Sequence, residues 1–383
     1  KLRDSMGALM IAHPNISLRL FNSSGNRGLL GRGWNFTTDF EQLNHRMHNK
    51  SLTVDNHATI VGGRNIGDEY IGLNAHFNFR DIDVLGFGPV ARQTSSVFDV
   101  FWNSGWVMTA DPSTQTKAED IYATQRLAME RELRQSEALE RFSLAARSWE
   151  SEFDALTPSL HLGPSEVLTD KPGSSGISNE VFDWVTQNLP TVQTELLVTN
   201  AYLIPETQGV AMLDDLVAAG AEVTIHTNSL ASHDVPAVNS HYKVWRKPIL
   251  ESGASLFEAR YDASIKTSIV DTHPISARYM GLHSKSLVMD RRFAVIGSAN
   301  LDPRSAFLNS EMIAIIDSKS LAEELAQVIL LDTSAANSWE VSLNENDQII
   351  WSNDTESVSR QPARSGWQRF QDLLFMLFPK RLY

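Results

Sequence analysis

Two stretches of the sequence carry residues able to do chemistry, and each repeats the other. Between Gly281 and Glu311, GLHSKSLVMDRRFAVIGSANLDPRSAFLNSE sets out His283, Lys285, Asp290, Gly297, Ser298 and Asn300. Between Arg46 and Asn65, RMHNKSLTVDNHATIVGGRN places His48, Lys50, Asp55, Gly62, Gly63 and Asn65 at the same intervals. An imidazole can attack or carry a proton near neutral pH, and an ammonium and an amide side chain can hold an oxyanion. Small residues let the backbone approach a ligand closely. A pattern written twice implies two half-sites.

The elements that must position these groups follow from the same residues. In HNKSLTV and HSKSLVM the histidine and lysine lie two apart in an alternating stretch, so on a strand they project from one face. A turn signal follows at Asp55-Asn56 and at Asp290-Arg291, and then a second apolar run, HATIV or FAVI, able to pair back as a hairpin. Each copy is expected to be a hairpin bearing one imidazole and one ammonium.

The doubled pattern resembles the H-x-K-x4-D motif of the phospholipase D superfamily, whose enzymes break and remake phosphodiesters through a phosphohistidine. GGRNIGDEY followed by FRDIDVLGFGPV resembles the first-half signature of bacterial cardiolipin synthases. GSANLDPRSAFLNSE resembles the second, and AYLIPETQGVAMLDDLVAAGAEVTIHTNSL is similar as well. The match runs toward the C-type branch. The resemblance implies an α/β fold of two phospholipase D-like lobes, each a mixed sheet flanked by helices, related by a pseudo-twofold.

For the site it implies His48 as nucleophile and His283 as the acid that protonates the leaving alcohol, although the near-symmetric motifs by themselves leave the roles exchangeable. Lys50, Lys285, Asn65 and Asn300 would hold the non-bridging phosphate oxygens. Asp81, and Glu311 as its counterpart, would each orient a histidine. Asp55 and Asp290 complete the catalytic motif, and their place at the turns points to holding the loops. Phe79 to Val90 reads as a strand ending in a Gly-Pro turn, and Asp83 on it reads as a surface strand acid.

No cofactor or metal is implied. The implied substrates are phospholipids at a membrane surface, phosphatidylglycerol and a second phospholipid giving cardiolipin, with the enzyme peripheral on the cytoplasmic side of the bacterial inner membrane. An accessory protein is left unspecified. The alternatives are hydrolysis of phospholipid, a nucleic-acid phosphodiesterase, and a binding or assembly protein without turnover. Transfer and hydrolysis share one covalent intermediate, so the motifs do not choose between them.

Composition sets bounds on these readings. A chain of 383 residues, 42% hydrophobic, can bury the core of two lobes. A formal charge of -13 disfavours broad contact with nucleic acid or an anionic bilayer, while leaving room for a local basic patch. There is no cysteine, hence no disulfide and no thiolate metal site. No apolar run is long enough to span a bilayer. His226, His233, His241 and His273 fit no ligand spacing and read as structural.

The expected domains are residues 1–112 for the first lobe, 113–176 for a helical connector and linker, 177–332 for the second lobe and 333–383 for a tail. ELLVTNAYL, GVAMLDDLVAAG and AEVTIHTNS read as strand, helix and strand ahead of the second motif. Nothing equivalent precedes His48, so the first lobe is expected to be truncated. The start at Lys1 without methionine points to a fragment or processed form. Leu2 to Phe21 reads as a helix-like start and the strand ISLRLF. Asn22 to Asp39, with Arg27, Arg32 and Trp34, reads as a loop near the site.

In the connector, Glu130 with Arg134 and Glu137 with Arg141 support a helix, with Ile121, Met129, Leu133 and Phe142 on its apolar side. Gly163 to Ser178 reads as a linker. SIKTSIVDTHPISARYM can be a lid or a plain surface loop. In the tail, Trp367, Phe370, Leu373, Leu374, Phe375, Leu377 and Phe378 form an amphipathic helix ahead of Lys380 and Arg381. Such stripes usually face a core, so packing on a lobe is expected, with a membrane surface as the alternative.

Overall fold

The structure is a computed structural model, and it describes residues 14–22, 45–109, 118–137, 149–174 and 176–377. The chain divides into two compact units, one drawn from residues 1–46, 98–159 and 172–176, the other from 47–97, 160–171 and 177–383. Both repeated motifs lie in the second unit. The loop with Arg27, Arg32 and Trp34 lies outside the described residues, as do Arg141, Phe142, Phe378, Lys380 and Arg381.

In the first unit, Arg19–Phe21 pairs antiparallel with Val107–Thr109. Phe21 stacks on Trp106 with ring centroids 5.7 Å apart. The helix Ala118–Gln135 carries Glu130 between Arg126 and Arg134, paired at 2.9 and 3.4 Å. Its Leu127, Met129 and Leu133 are exposed.

The second unit is built on a ten-stranded mixed sheet. Its order is Ser357–Val358, Ile349–Ser352, Ser338–Leu343, Ser255–Ala259, Glu222–Asn228, Glu195–Asn200, Lys285–Met289, Phe293–Gly297, Met312–Asp317 and Ser165–Thr169. The three consecutive strands Glu195–Asn200, Glu222–Asn228 and Ser255–Ala259 run parallel, and the second-motif hairpin joins them antiparallel.

Alternation along the strands sorts side chains to two covered faces. Leu196 and Val198 pack with Val181, Val185, Leu213 and Leu216 from the helices Glu180–Asn188 and Glu206–Ala218. Leu197 points the other way, and on that face Val288, Ala294 and Ile296 meet Ala322, Leu325, Ala326 and Ile329 of the helix Lys319–Asp332. Burial on both faces is why these strands read as nearly continuous apolar runs.

The first motif forms a separate three-stranded antiparallel sheet, Ser51–Val54, Ala58–Gly62 and Asp83–Phe87. Ile82 and Val84 pack it onto the Leu197 face of the large sheet. Both hairpins turn through two successive residues of positive φ, 49° and 58° at Asp55 and Asn56, 52° and 51° at Asp290 and Arg291. That is the primed turn a two-residue hairpin loop favours.

Three expectations change. The stretch Gly163 to Ser178 contains the strand Ser165–Thr169, which completes the edge of the large sheet against Met312–Asp317. Phe79 to Val90 is divided between the strands Phe77–Arg80 and Asp83–Phe87 and the helix that starts at Pro89. Residues beyond 333 contribute three strands to the large sheet. The last helix, Gly366–Phe375, also turns the opposite way from the expected packing. Gln368 and Asp372 are its buried residues, while Trp367, Phe370, Leu373 and Leu374 are exposed. The candidate lid is fastened just after Lys266–Val270: Asn78 donates to Asp271 at 2.7 Å and Thr272 to the Ile71 carbonyl at 2.8 Å.

Candidate active site

Phe77–Arg80 pairs parallel with Tyr279–Leu282, with Arg80 opposite Leu282. The next residue of each strand is Asp81 and His283, so the register alone sets the acid beside the ring. The His283 N–H donates to the Arg80 carbonyl at 2.8 Å, and its Nδ1 lies 2.7 Å from Asp81 Oδ2. The other half repeats the arrangement. The His48 N–H donates to the Ser310 carbonyl at 3.0 Å, and its Nδ1 lies 2.8 Å from Glu311 Oε2.

Each histidine is therefore fixed by an acid from the opposite half of the sequence and by the carbonyl just before that acid. A carboxylate on Nδ1 makes that nitrogen the N–H donor and leaves Nε2 with its lone pair free. Arg80 anchors its strand from behind through a buried pair with Asp332 at 2.9 Å.

The two motifs converge. A Cβ on Gly63 of the first motif would lie 2.8 Å from Asp81 Oδ1 and 3.2 Å from Cδ of Lys285 of the second. Only a glycine fits there without displacing them. Lys50 donates to the His48 carbonyl at 2.6 Å, and Lys285 donates to the His283 carbonyl. Each ammonium is thus tied to the backbone of its own histidine, and the Lys285 charge acts on both rings.

Burial and mutual repulsion set the charge states. Burial lowers Lys50 to about 7, with Lys285 adding to the fall and Glu311 and Asp81 opposing it. Lys285 is lowered too, chiefly by burial. Burial and then the Lys285 charge bring His283 to about 4, against the pull of Asp81 and Asp234. His48 is lowered by burial, with Glu311 pulling up and Lys50 and Lys285 pushing down. Burial pushes Asp81 and Glu311 up, but their histidine and lysine partners outweigh it, and both end below the ordinary carboxylate range. Two neutral imidazoles on two ionised carboxylates, beside two lysines, suit an anionic tetrahedral group.

The remaining expected residues fall into two groups. Asn300 is buried and its Oδ1 has no hydrogen-bond partner among the described residues, whereas Asn65 is exposed and donates to Tyr70 Oη at 2.8 Å. Asp290 accepts from the backbone of Gln193, Thr194 and Glu195 at 2.7 to 3.1 Å, which ties its hairpin turn to the neighbouring strand. Asp55 sits at an exposed turn. Asp83 is more than a surface acid: it holds Arg64 Nε at 2.6 Å, and the Arg64 guanidinium also donates to the Asp81 carbonyl at 3.1 Å.

Other contributors had no counterpart in the motif. Asp170 accepts the Glu311 N–H at 2.9 Å and the Val181 N–H at 3.0 Å. Its signal, the alternating SEVLT just before it, sat in a stretch that reads as a linker. Asp234 accepts from Tyr202 Oη at 2.9 Å, and its charge reaches His283. Tyr70 and Phe79 flank the His283 ring with centroids 5.1 and 5.2 Å away. His233 stacks on Tyr202, and His226 is buried against Ser338. Among the described residues no three His, Cys, Asp or Glu side chains gather as a metal site.

Known proteins share this sequence pattern. A family model described as cardiolipin synthase, PLD-like domain, matches residues 185–331. Cardiolipin synthase C of Escherichia coli (strain K12) is 30% identical over 406 residues, covering 98% of this chain and 80% of that protein. A cardiolipin synthase of Staphylococcus aureus (strain N315) is 24% identical, covering 83% of this chain and 53% of that protein. A solved structure, phosphatidylserine synthase of Haemophilus influenzae Rd KW20, aligns with a TM-score of 0.49 at 16% identity, over 76% of this chain and 62% of that one. The chain belongs to the phospholipase D superfamily, in its cardiolipin synthase branch, and is an enzyme of the phosphatidyltransferase class.

Proposed function

We propose that the protein makes cardiolipin from phosphatidylglycerol and a second phospholipid through a phosphohistidine, working at a membrane surface. His48 Nε2 attacks phosphorus, the bond from phosphorus to the departing alcohol breaks, and His283 gives that alcohol its proton. The phosphatidyl group then sits on His48. In the second half His283 takes the proton of the incoming phosphatidylglycerol hydroxyl, its oxygen attacks phosphorus, and the bond to His48 breaks. Lys50, Lys285 and Asn300 hold the non-bridging oxygens, whose charge grows toward each transition state.

One observation carries this reading: two imidazoles, each held at Nδ1 by a buried carboxylate of the other half, at 2.8 and 2.7 Å, where Gly63 leaves no room for a Cβ beside Asp81 and Lys285. The division of labour is supported by what surrounds each ring. Burial and the Lys285 charge oppose a proton on His283 while Asp81 and Asp234 draw one there; on His48 burial and two lysines oppose it and Glu311 draws it. The anionic phosphodiester adds the charge that brings the proton to His283 when substrate binds.

The experiment is to incubate the protein with phosphatidylglycerol and phosphatidylethanolamine, the label carried in the phosphatidyl half of one or the other, quench with denaturant at neutral pH, and map the label. Label on His48 together with cardiolipin in the products supports the proposal. Label on His283 reverses the roles, and phosphatidic acid as sole product makes the protein a hydrolase.

A further inference from the structure

The last helix, Gly366–Phe375, is amphipathic in the inverted sense. Its polar side chains are the ones packed against the protein. Gln368 is 4% exposed and Asp372 2%, while Trp367, Phe370, Leu373 and Leu377 just beyond it are 65, 51, 64 and 81% exposed. Polar contacts hold this orientation. Asp372 accepts from Asn239 at 2.6 Å and from Lys243 at 2.7 Å, and Gln368 donates to the Leu230 carbonyl at 2.5 Å. Ser365 caps the start by accepting the Gln368 N–H at 3.2 Å. With Gln368 and Asp372 fastened inward, the helix cannot roll to hide its apolar side without breaking the part-buried Asp372–Lys243 pair.

We infer that this face is a membrane-docking surface, occupied by the bilayer that holds the substrate, and the inference rests on the phospholipid reading above. Three observations select a lipid surface. Trp367 stacks on Phe370, with centroids 5.3 Å apart and planes at 26°, giving a flat aromatic pair of the type that sits at a headgroup boundary.

The charge is also right. Residues 360–377 hold Arg360, Arg364 and Arg369 against one acid, Asp372, in a chain of net charge -13, and Asp372 is already paired with Lys243. That leaves the segment net positive, with Arg360 exposed, complementary to anionic headgroups.

The third is connection to the site. Arg364, immediately before the helix, donates to the His233 carbonyl at 2.7 Å and lies over the Phe77 ring at 5.2 Å. His233 stacks on Tyr202, Tyr202 donates to Asp234, and Phe77 packs on Phe79 beside His283. These contacts join the helix to the surroundings of His283, so a bilayer seated on it meets that site at a set angle.

The test compares the full chain with the variant Trp367→Ser, Phe370→Ser, Leu373→Ser, Leu377→Ser, all at exposed positions, in three assays. These are co-sedimentation with vesicles of phosphatidylglycerol and phosphatidylethanolamine, turnover of a short-chain phosphatidylglycerol below its micelle concentration, and sedimentation velocity without lipid. The expected result is that vesicle binding falls at least about tenfold and vesicle turnover falls with it, while turnover of the monomeric lipid stays at the parent level.

Unchanged vesicle binding overturns the inference, as does a parent dimer that the variant converts to monomer with vesicle binding intact, which would make the face a contact between copies. Face-dependent vesicle binding by a protein that turns over neither substrate leaves the docking surface standing and removes the proposed cardiolipin synthesis instead. Arg360→Glu supplies a milder probe, expected to weaken binding to anionic vesicles and leave binding to neutral ones unchanged.

Discussion

His48 and His283 are held by the same pair of bonds, yet the surroundings of the two rings differ. Glu311, behind His48, accepts from Ser298 Oγ at 2.6 Å and from Asn309 at 3.2 Å besides the ring. Asp81, behind His283, accepts from its neighbouring Ile82 N–H at 2.9 Å, and bracing on that side comes from the aromatic walls of Tyr70 and Phe79. The His48 side chain is 25% exposed against 7% for His283. A ring that must carry a phosphatidyl group needs room, and one that only hands over a proton does not. The repeat therefore builds one open, hydrogen-bonded half and one enclosed, aromatic half, and the asymmetry fits a nucleophile in the first and a proton carrier in the second.

The largest expected effect separates those roles. Either His48→Ala or His283→Ala lowers turnover of phospholipid by about a thousandfold or more. With a substrate whose leaving group is a nitrophenolate, which departs without a proton, His283→Ala releases a burst of phenolate and accumulates labelled protein. His48→Ala gives neither. A burst from His48→Ala and none from His283→Ala would exchange the two halves.

Removing the acids comes next. Glu311→Gln and Asp81→Asn keep the shapes but remove the negative charge and one acceptor oxygen behind each ring, so both are expected to lower kcat by about a hundredfold or more. Glu311→Gln also disturbs Ser298 and Asn309, so its melting temperature falls further than that of Asp81→Asn. Equal melting temperatures would mean that the extra bracing of Glu311 is of no consequence.

Lys50 gives a pH test of the open half. Its folded pKa is depressed to about 7, so the charged form is present below that pH and lost above it. Because kcat/KM reports the free enzyme, it is expected to decline as pH rises through about 7. Lys50→Arg keeps its charge and moves the decline upward. A kcat/KM profile flat through neutral and mildly alkaline pH would show that the Lys50 charge does not hold substrate.

A smaller effect comes from the small residues at matched positions, Gly63 and Ser298. Ser298→Ala removes one bond to Glu311, and about a tenfold loss in kcat is expected. Gly63→Ser brings the first half to the sequence of the second, yet its Cβ would meet Asp81 and Lys285. The loss should exceed that of Ser298→Ala. The opposite order would show that the halves tolerate exchange.

Much of this was readable in the sequence, for reasons local to it. The hairpins were legible because turn residues and alternation are short-range signals, and both turns fall at the expected pairs. The acids were legible only as candidates; the crossing of Asp81 to His283 and of Glu311 to His48 depends on contacts 202 and 263 residues apart, which no local period encodes. The strand Ser165–Thr169 was hidden because a short edge strand between Gly-Pro and Lys-Pro-Gly looks like the linker that surrounds it. The direction of the last helix was illegible as well. An apolar stripe states which residues share a face, and whether that face meets protein is decided by Asp372 finding Asn239 and Lys243.

Asp170 is the smallest expected effect, and it sharpens the comparison by asking how firmly the Glu311 side is held. Its carboxylate accepts two backbone N–H groups, of Glu311 and Val181, while burial and the nearby Glu311 charge raise it to about 7 despite those bonds. A carboxyl whose folded pKa lies above its unfolded value near 3.8 stabilises most when protonated. Its contribution is full below the unfolded pKa and is lost as pH rises through about 7. Asp170→Asn titrates nowhere in that range. The melting temperature of the parent minus that of Asp170→Asn is therefore expected to shrink between acid and neutral pH. Near neutrality kcat should fall only a few-fold, because the amide put in place of the carboxyl keeps one acceptor oxygen for the two donors. A constant difference across that range would mean that Asp170 stays ionised, and that the open half is braced by a permanent charge behind Glu311.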